Sequence, residues 1–273
     1  MKNAKIIAVA NNKGGVGKTT VTLNFGYALA EQGYRILLVD IDPQANLTKG
    51  LGIIDCKEEP HTICEPIWGV ISQARVPASL EYIKHRNGID FIPANNTLSV
   101  LEIAMAGIAQ RDGILRSILS EMRESYDYII VDCPPSPGLL TINALIASDS
   151  VLIVTILEDD STEGVKMLME LIALAQKNSN RPLPIDGILI NRVDPRLTLS
   201  RKVTEDLSAL AGSSIRIFDT QIPEATQFGL AKKEHISIFE YVPRKKKRDQ
   251  VAGAAAYRQF VKEYLGRGAC VNE

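Results

Sequence analysis

The sequence predicts an α/β protein with a doubly wound, mostly parallel sheet that carries helices on both faces. Short apolar runs alternate with longer segments of helical periodicity, which is the pattern of repeated strand–helix units. The first apolar run, residues 5–10, breaks into glycines and then into a helix. Two later runs each end in an aspartate, Asp40 and Asp132, as expected at the carboxyl edge of a parallel sheet.

Length and composition favour one soluble domain over residues 1–273. A chain of 273 residues with 45% hydrophobic residues can bury a substantial core, and one α/β domain of this size is ordinary. Lysine and arginine number 31 against 32 aspartates and glutamates, so the net charge of −1 gives no global attraction to nucleic acid or membrane. Any binding of a polyanion must therefore come from a local patch.

The four cysteines lack the paired spacing of a metal or cluster site, so plain buried or surface thiols are the simpler interpretation. They are Cys56, Cys64, Cys133 and Cys270. The sequence contains no signal peptide and no apolar run of about 18 residues. We therefore expect a reduced, cytoplasmic protein.

A glycine-rich turn at residues 13–20 predicts a site for nucleotide phosphates. Glycines lack a Cβ, so the turn can adopt positive φ and bring backbone N–H groups close to phosphate oxygens at a helix N-terminus. Lys18 supplies a positive charge for the β- and γ-phosphates, and the Thr19 hydroxyl is a ligand for Mg²⁺. ATP and Mg²⁺ are the expected cofactors. The residues assigned to nucleotide binding here are Lys13, Gly14, Gly15, Val16, Gly17, Lys18, Thr19 and Thr20.

The turn departs from the common phosphate-loop pattern. Asn12 stands where the first glycine is expected, and an additional lysine, Lys13, follows it. The pattern K-G-G-x-G-K-[ST]-[ST] resembles the deviant P-loop of the ParA/MinD ATPases. This resemblance implies that Lys13 reaches across a dimer interface to the ATP of the partner, so Lys13 and Lys18 are both assigned to catalysis. The alternatives are a glycine turn without a ligand and a dinucleotide site, for which Thr20 replaces the third glycine.

Two aspartates, Asp40 and Asp42, lie one strand period apart at the end of the apolar run 35–40. Both can therefore face the γ-phosphate and its metal. The segment D-x-D-P-Q resembles the second signature of the ParA family, which assigns activation of the attacking water to Asp42. We assign Asp40 to the Mg²⁺ shell and to switch geometry. The alternative for each is an aspartate that only caps the following turn.

A third aspartate, Asp132, ends the apolar run 128–131 and is followed by Pro-Pro-Ser. A buried strand that delivers one carboxylate to the sheet edge is the Walker B arrangement, in which the carboxylate holds Mg²⁺ through water. Residues 136–147 should form the next helix, and they resemble the family segment P-P-S-x-G-x-L-T-x-N-A-L. We therefore assign Asp132 to the metal site, together with Thr19 and Asp40.

The remaining elements are predicted from periodicity and from punctuation by glycine and proline. Residues 50–88 are expected to form short helices joined by loops rather than another sheet unit. Helices are expected at residues 18–32, 97–124 with a break near Gly113, 162–177, 196–211 and 249–265, and further strands at 88–94, 151–155 and 185–190.

Two positions are candidates for contact with the nucleotide base. Asn191 follows the apolar run 185–190, and an amide at a strand's carboxyl end can pair with the edge of a purine, as in the family. Pro223 lies in the segment 219–223, which resembles the loop that lines the base pocket of ParA proteins. A turn-capping role is the alternative for Asn191.

Basic residues cluster in the C-terminal third, although the whole chain is nearly neutral. Such clusters suggest a face that contacts double-stranded DNA through phosphates without reading bases, and a solvated loop is the alternative. ParA-type dimers bind DNA through basic residues in this region, but the arginine usual near Gln227 is absent, so the contacts are expected elsewhere. The candidates are Arg196, Arg201, Lys202, Lys232, Lys233, Arg244, Lys245, Lys246, Lys247 and Arg248.

The resemblance covers most of the chain and implies a Soj-like DNA-segregation ATPase without the N-terminal DNA-binding extension of some plasmid members. It implies a homodimer that forms on ATP binding, nonspecific DNA binding by that dimer on the nucleoid, and a ParB-like partner that stimulates hydrolysis. The alternative is a MinD-like membrane-surface ATPase, but the last helix looks committed to packing, so no membrane partner is expected. An electron-transfer ATPase like the nitrogenase iron protein would need a second cysteine beside Cys133.

Overall fold

The computed structural model describes residues 3–57, 59–73, 79–108, 111–158, 160–194, 200–245 and 249–266. Its sheet has seven strands in the order β3-β4-β2-β5-β1-β6-β7. Neighbouring strands are parallel except β3 and β4, which are antiparallel. The strands are β1 (Lys5–Ala10), β2 (Ile36–Asp40), β3 (Lys84–Arg86), β4 (Ile89–Ile92), β5 (Tyr128–Asp132), β6 (Ser150–Thr155) and β7 (Ile185–Ile190).

Helices cover both faces of this sheet, which confirms the predicted doubly wound α/β fold. They are α1 (Lys18–Ala30), α2 (Asn46–Gly50), α3 (Cys64–Ile71), α4 (Ser79–Tyr82), α5 (Thr97–Met105), α6 (Ile114–Ser120), α7 (Leu139–Ala147), α8 (Ser161–Ser179), α9 (Ser200–Ala211), α10 (Thr226–Lys233), α11 (Ile238–Lys245) and α12 (Asp249–Leu265). A short 3₁₀ helix, Arg111–Gly113, precedes α6.

Two hydrophobic cores lie on opposite faces of the sheet, because successive side chains of a strand point to opposite sides. In β1, Ile6 and Ala8 belong to one core, while Ile7 and Val9 belong to the other. All four side chains are fully buried. Burying one such isoleucine stabilises the fold by about 1.5–3 kcal/mol relative to exposure. An apolar strand is therefore most stable inside the sheet, and β1 lies between β5 and β6.

The region 50–88 contains a strand that the sequence analysis did not predict. α3 and α4 are the expected short helices, but β3 follows them and pairs with β4. The two strands are joined by Asn87 and Gly88, which have φ of +46° and +82°. An Asn-Gly pair with positive φ at both positions is the preferred two-residue hairpin turn. The expectation of helices and loops alone was therefore wrong for residues 84–86.

The helical region 97–124 is interrupted as predicted, since α5 ends at Met105 and α6 begins at Ile114. Leu98 and Leu101 of α5 are buried, as expected for a core stripe. Ile103, which has the spacing of the same apolar pattern, is 77% exposed. The apolar pattern therefore overestimates how much of α5 faces the core.

The last helix, α12, packs against α1 through aromatic side chains, as its apolar pattern predicted. The ring of Phe260 lies 5.1 Å from that of Phe25 and 5.0 Å from that of Phe218, between centroids. Phe260 and Val261 are fully buried, so the apolar face of α12 is used inside the fold. Within the described part of the chain, no helix combines the length and the apolarity that a membrane crossing requires.

The sheet order brings the predicted site residues to one edge. β5 lies between β1 and β2, so Asp132 is in register with Val9 on one side and with Asp40 on the other. β6 borders β1 on its opposite side. Ligands of open α/β sheets bind at the carboxyl ends of the strands, at the topological switch point where the strand order reverses. The turn after β1 lies at that point, because β5 borders β1 on one side and β6 on the other.

Candidate nucleotide-binding site

The turn between β1 and α1 is shaped by two glycines with positive φ. Gly15 has φ of +81° and Gly17 has φ of +90°, which L side chains rarely adopt. A Cβ on Gly17 would lie 2.2 Å from Nδ2 of Asn191, so this glycine also lets the turn sit against the end of β7. α1 begins at the next residue, Lys18, and the first N–H groups of any α-helix lack intrahelical partners. The backbone therefore has the form of a phosphate cradle.

Lys18 lies inside this turn. Its Nζ donates hydrogen bonds to the carbonyl oxygens of Asn11, at 3.0 Å, and Lys13, at 3.1 Å. Burial lowers the pKa of Lys18, and the negative charges of Asp132 and Asp42 partly offset that effect. The ammonium is thus held by neutral carbonyl groups at the place where a phosphate chain would supply a stronger counter-charge.

Asp132 is fully buried, and one of its oxygens has no partner. Oδ1 accepts a hydrogen bond from the Thr22 hydroxyl at 3.2 Å, whereas Oδ2 is buried without a hydrogen-bond partner. Burial raises the pKa of Asp132 well above its usual value, nearby Asp40 raises it further, and Thr19 and Lys18 oppose the rise. A divalent cation would compensate this carboxylate, so Thr19 and Asp132 fit the predicted metal site.

Asp40 is buried and anchors the segment that follows β2. Its Oδ2 accepts from the backbone N–H of Thr48 at 2.9 Å and from the Thr48 hydroxyl at 2.7 Å. Its Oδ1 accepts from the backbone N–H of Asp42 at 3.1 Å. Burial raises the pKa of Asp40 to about 6, although these hydrogen bonds favour the charged form. In the structure, Asp40 therefore holds α2 and the backbone of Asp42 in place. Its contact with a metal ion stays a prediction.

Asp42 lies at the same edge and is 7% exposed. Its Oδ1 accepts from the backbone N–H of Gln44 at 2.9 Å, which is the turn-capping bond considered as the simpler alternative. A carboxylate has room for further hydrogen bonds, so this bond leaves the role in water activation open. That role stays a prediction.

Unpartnered polar atoms concentrate around the glycine turn. In the described part of the chain, five buried side-chain atoms have no hydrogen-bond partner, and four of them lie at this edge. They are the two amide atoms of Asn12, Oδ2 of Asp132 and Oγ1 of Thr155. Buried polar groups in folded proteins are nearly always paired, so such a cluster indicates a site that a ligand, ion or water completes.

Lys13 is ion-paired within its own chain, which the sequence analysis did not anticipate. Its Nζ contacts Oε2 of Glu158 at 2.6 Å and Oδ1 of Asp160. Both carboxylates lie in the loop between β6 and α8. No motif in the sequence indicated that this loop contacts Lys13. Burial opposes the charged form of Lys13, but the hydrogen bonds that its ammonium donates to Asp160 and Glu158, and the negative charges of these carboxylates, outweigh that effect. The pKa of Lys13 is therefore raised.

The two residues that follow β7 contact the backbone of the glycine turn. Nδ2 of Asn191 donates to the carbonyl oxygen of Val16 at 2.8 Å, which leaves its second N–H and its Oδ1 for other partners. The adenine contact of Asn191 stays a prediction. Arg192, which the sequence analysis missed, has φ of +54° and contacts the carbonyl oxygen of Gly15 at 3.4 Å. It also pairs with Glu224 at 3.0 Å. A non-glycine residue with positive φ is a conformational cost that functional sites often carry.

Pro223, the second candidate for base contact, lies near the end of β7. It forms a parallel bridge with Val193, two residues beyond Asn191. It also lines an open cleft of about 620 Å³ between residues 219–223 and α12. The position is compatible with a base pocket, and the contact itself stays a prediction.

The predicted DNA contacts fall only partly on the described chain. Lys232 and Lys233 are exposed at the end of α10. Arg201 and Lys202 lie in α9, and Arg244 and Lys245 end α11, but the side chains of these four are not described. Arg196 and the run Lys246, Lys247 and Arg248 lie outside the described residues.

The described cysteines do not form a cluster site. Cys56, Cys64 and Cys133 are buried free thiols. Burial raises the pKa of Cys133, and Asp132 raises it further, so its thiolate is disfavoured. No group of three or more His, Cys, Asp or Glu side chains that could hold a metal ion occurs among the described residues. The geometry therefore gives no support to an iron–sulfur role.

Comparison with known sequences identifies relatives of the whole chain. The family model described as an AAA domain matches residues 4–185. The chain is 38% identical over 264 residues to the sporulation initiation inhibitor protein Soj of Bacillus subtilis strain 168, covering 97% of this chain and 99% of Soj. It is 34% identical over 273 residues to the chromosome partitioning protein ParA of Caulobacter vibrioides strain NA1000 / CB15N, with coverage of 96% and 94%.

Solved structures share the fold. A structure of cobyrinic acid a,c-diamide synthase from Mycobacterium smegmatis, with bound ATP analog and magnesium, matches with a TM-score of 0.80 at 30% identity. The match covers 98% of this chain and 96% of that one. An ATP complex of Cyanothece McdA matches with a TM-score of 0.81 at 23% identity, over 97% and 98% of the two chains. The McdA likeness concerns the fold alone.

Proposed function

Since the chain belongs to the ParA/Soj family of partition ATPases, we propose that it is an ATP-dependent dimerising switch for plasmid or chromosome segregation. In this proposal it binds ATP with Mg²⁺, pairs with a second copy, binds DNA nonspecifically as that dimer, and hydrolyses ATP to ADP and phosphate. We treat residues 1–273 as one domain that performs all of these steps.

One observation carries the proposal: Lys18, held in the glycine turn by carbonyl groups, faces the charge of a buried carboxylate that has an unpartnered oxygen, Asp132. A nucleotide phosphate would pair with the ammonium, and a divalent cation would pair with the carboxylate. The relative from Mycobacterium smegmatis was solved with an ATP analog and magnesium, which supports the same pair of ligands here.

The residues divide the work of hydrolysis. Thr19 and Asp132 would hold Mg²⁺, which neutralises charge on the phosphate oxygens when it is bound. Asp40 orients the backbone of Asp42 through the 3.1 Å hydrogen bond, and Asp42 positions the attacking water. Lys18 stabilises the charge that develops on the transferred phosphoryl group. The N–H groups of residues 14–20 bind the phosphates, with Asn191 and Pro223 toward the base.

Dimerisation links the nucleotide to DNA. Lys13 of each protomer would neutralise charge on the other protomer's ATP, so the dimer depends on the γ-phosphate. A dimer presents twice as many basic residues, and DNA affinity rises steeply with the number of phosphates neutralised. Lys232 and Lys233, which are exposed, and the basic run 244–248 are the proposed contacts. The family also implies a ParB-like partner that stimulates hydrolysis on the nucleoid in the cytoplasm.

A gel-shift on nonspecific duplex DNA with ATP, ADP and no nucleotide tests this function. We expect a shift with ATP only, and none for Lys13→Ala with ATP, although Lys13→Ala should still bind nucleotide. Equal shifts with ATP and ADP would contradict a nucleotide switch. Lipid binding that requires ATP in a liposome pelleting assay, without DNA binding, would favour the MinD-like alternative, which the buried apolar face of α12 opposes.

A further inference from the structure

Lys13 is already used by its own protomer in this structure. Its ammonium pairs with Glu158 at 2.6 Å and with Asp160, and its side chain is only 16% exposed. The two carboxylates are 58% and 66% exposed. The lysine that is proposed to cross the dimer interface is therefore withdrawn into the surface, against a pair of counter-ions that water can reach.

The fold holds both sides of this contact in place. On the lysine side, Asn11 donates to the carbonyl oxygen of Val154 at 2.7 Å and accepts from the backbone N–H of Lys13 at 2.9 Å. On the carboxylate side, the backbone N–H of Glu158 donates to the hydroxyl of Ser161, which is fully buried at the start of α8. The ion pair between Lys13 and the two carboxylates therefore joins two segments that are each held by hydrogen bonds.

A close approach of α8 brings the two segments together. A Cβ on Gly164 would lie 2.8 Å from Oδ1 of Asn11 and 3.0 Å from Cβ of Lys13. Any larger residue at this position would push α8 away from the glycine turn. The packing of α8 thus places the acidic pair within reach of Lys13.

We propose that Glu158 and Asp160 are positioning residues that hold Lys13 in the monomer and release it to the partner's ATP. The inference rests on the proposed function, because it assumes that Lys13 acts across the dimer. One ammonium cannot remain between these carboxylates and also cross the interface, so the partner's γ-phosphate must compete with them. The acidic pair then sets the ATP concentration and the protein concentration at which dimers form.

The exposure of the carboxylates makes this contact weak enough to release. Exposed ion pairs contribute little, since water and salt screen them, and the freed carboxylates regain full hydration. Removing the contact in one chain should favour dimerisation by about 1.4- to fivefold, which is the range for exposed ion pairs. A dimer must open two such contacts, so its association constant should rise by about the square of that factor, roughly two- to 25-fold.

The test compares Glu158→Gln/Asp160→Asn with wild type by analytical ultracentrifugation in a non-hydrolysable ATP analogue and Mg²⁺. We expect tighter dimers in the double variant at low salt and a smaller difference at 1 M salt, where the screening length falls to about 3 Å. Asp160→Glu keeps the charge and should behave like wild type. Glu163→Gln is the matched control, since Glu163 is exposed in the first turn of α8 and takes no part in the Lys13 contacts. Equal or weaker dimers in the double variant would overturn the proposal.

A second measurement needs no dimer and so separates this proposal from the proposed function. An amine-reactive ester, followed by mass spectrometry, reports how accessible Lys13 is in nucleotide-free protein. We expect labelling of Lys13 to increase several-fold in Glu158→Gln/Asp160→Asn and to stay unchanged in Glu163→Gln. Unchanged labelling in the double variant would refute the contact, whereas increased labelling in a protein that never dimerises would leave the contact intact and reject the dimer switch.

Discussion

Single buried charges decide the electrostatics of this site, and Asp132 is the clearest case. Its Oδ1 is held by Thr22, but its Oδ2 is buried and unpartnered, and burial raises its pKa well above the usual value. A buried acid with a raised pKa destabilises the fold once it ionises. The ionised residue therefore costs stability in the free protein, and the proposed Mg²⁺ would offset that cost.

The first prediction is that Asp132→Asn stabilises the protein in the absence of metal. Below the unfolded pKa the acid is neutral in both states and costs nothing, and above the folded pKa the full cost is present. The gain should therefore be small near pH 4, close to the unfolded pKa of 3.8, and reach about 1–3 kcal/mol at alkaline pH, the usual penalty for a buried unsatisfied group. Thermal unfolding in EDTA from pH 4 to 9 measures it.

The control for this prediction is a partly buried aspartate that has partners. Asp149 pairs with Arg123 at 2.8 and 2.9 Å, so Asp149→Asn should lower the unfolding temperature. Asp132→Asn should also abolish the additional stabilisation that Mg²⁺ gives to the ATP-bound protein. If Asp132→Asn is as destabilising as Asp149→Asn at alkaline pH, the carboxylate has a partner that this structure does not show.

The second prediction concerns Asp42. Removing a group that positions the attacking water should lower turnover by about 10²-fold or more. Asp42→Ala should therefore accumulate a long-lived ATP dimer, seen by gel filtration and by slow phosphate release. Asp42→Asn keeps an acceptor for the N–H of Gln44 and so preserves the turn. Normal turnover in Asp42→Asn would reduce the role of Asp42 to capping that turn.

At the scale of elements, the glycine turn depends on β7 as much as on β1. Asn191 holds the Val16 carbonyl at 2.8 Å, and the contact leaves no space for a side chain on Gly17. Gly15 also has positive φ, but no atom lies within 4 Å of a Cβ placed there. The two positions therefore differ. A side chain at position 15 would cause backbone strain only, whereas a side chain at position 17 would cause backbone strain and also clash with Asn191.

The third prediction follows from this difference. Gly15→Ala should cost about 1 kcal/mol of unfolding free energy from left-handed strain. Gly17→Ala should cost more and should weaken ATP binding at least tenfold, because the turn must leave the end of β7. Adding Asn191→Ala to Gly17→Ala removes the clash and should recover part of the stability. Denaturant unfolding and binding of a fluorescent ATP analogue measure both effects; equal losses in Gly15→Ala and Gly17→Ala would contradict the seating of the turn on β7.

Elements whose signals are local were predictable from the sequence. β1, β5 and the turn between β1 and α1 are continuous apolar or glycine-rich stretches, so the local sequence predicts two buried strands and a connecting turn. β3 was missed because Lys84–Arg86 has no apolar alternation, and its conformation is set by pairing with β4. The Asn87-Gly88 turn did carry a signal for it.

Contacts between distant segments were not predictable in the same way. Lys13 and Glu158 are separated by 145 positions, and only the packing of α8 against the glycine turn brings them together. Likewise, the amide of Asn191 suggested a ligand contact, but nothing in the local sequence shows that it binds Val16. Local chemistry therefore identifies the candidates, and the tertiary fold decides which groups they meet.

At the scale of the whole molecule, the nearly neutral net charge suits the proposed dimer switch. The net charge of −1 gives the monomer no general attraction for DNA, so binding must come from local basic groups. Pairing two copies doubles those groups on one particle. Since the logarithm of affinity scales with the number of phosphates neutralised, doubling a weak set of contacts produces a large change in binding.

The last prediction tests which basic groups do this. Neutralising residues 244–248 should flatten the dependence of DNA affinity on salt, because each lost phosphate contact lowers the slope of log K against log salt by about 0.9 and a dimer loses two contacts for each residue. Lys232→Gln/Lys233→Gln tests the exposed pair on α10 in the same way. Lys166→Gln/Lys177→Gln on α8 is the charge-matched control and should leave the slope unchanged. If the slope falls equally in the control and in the neutralised run, DNA affinity depends only on the net charge of the protein. If neutralising the run has no effect, residues 244–248 take no part in DNA binding.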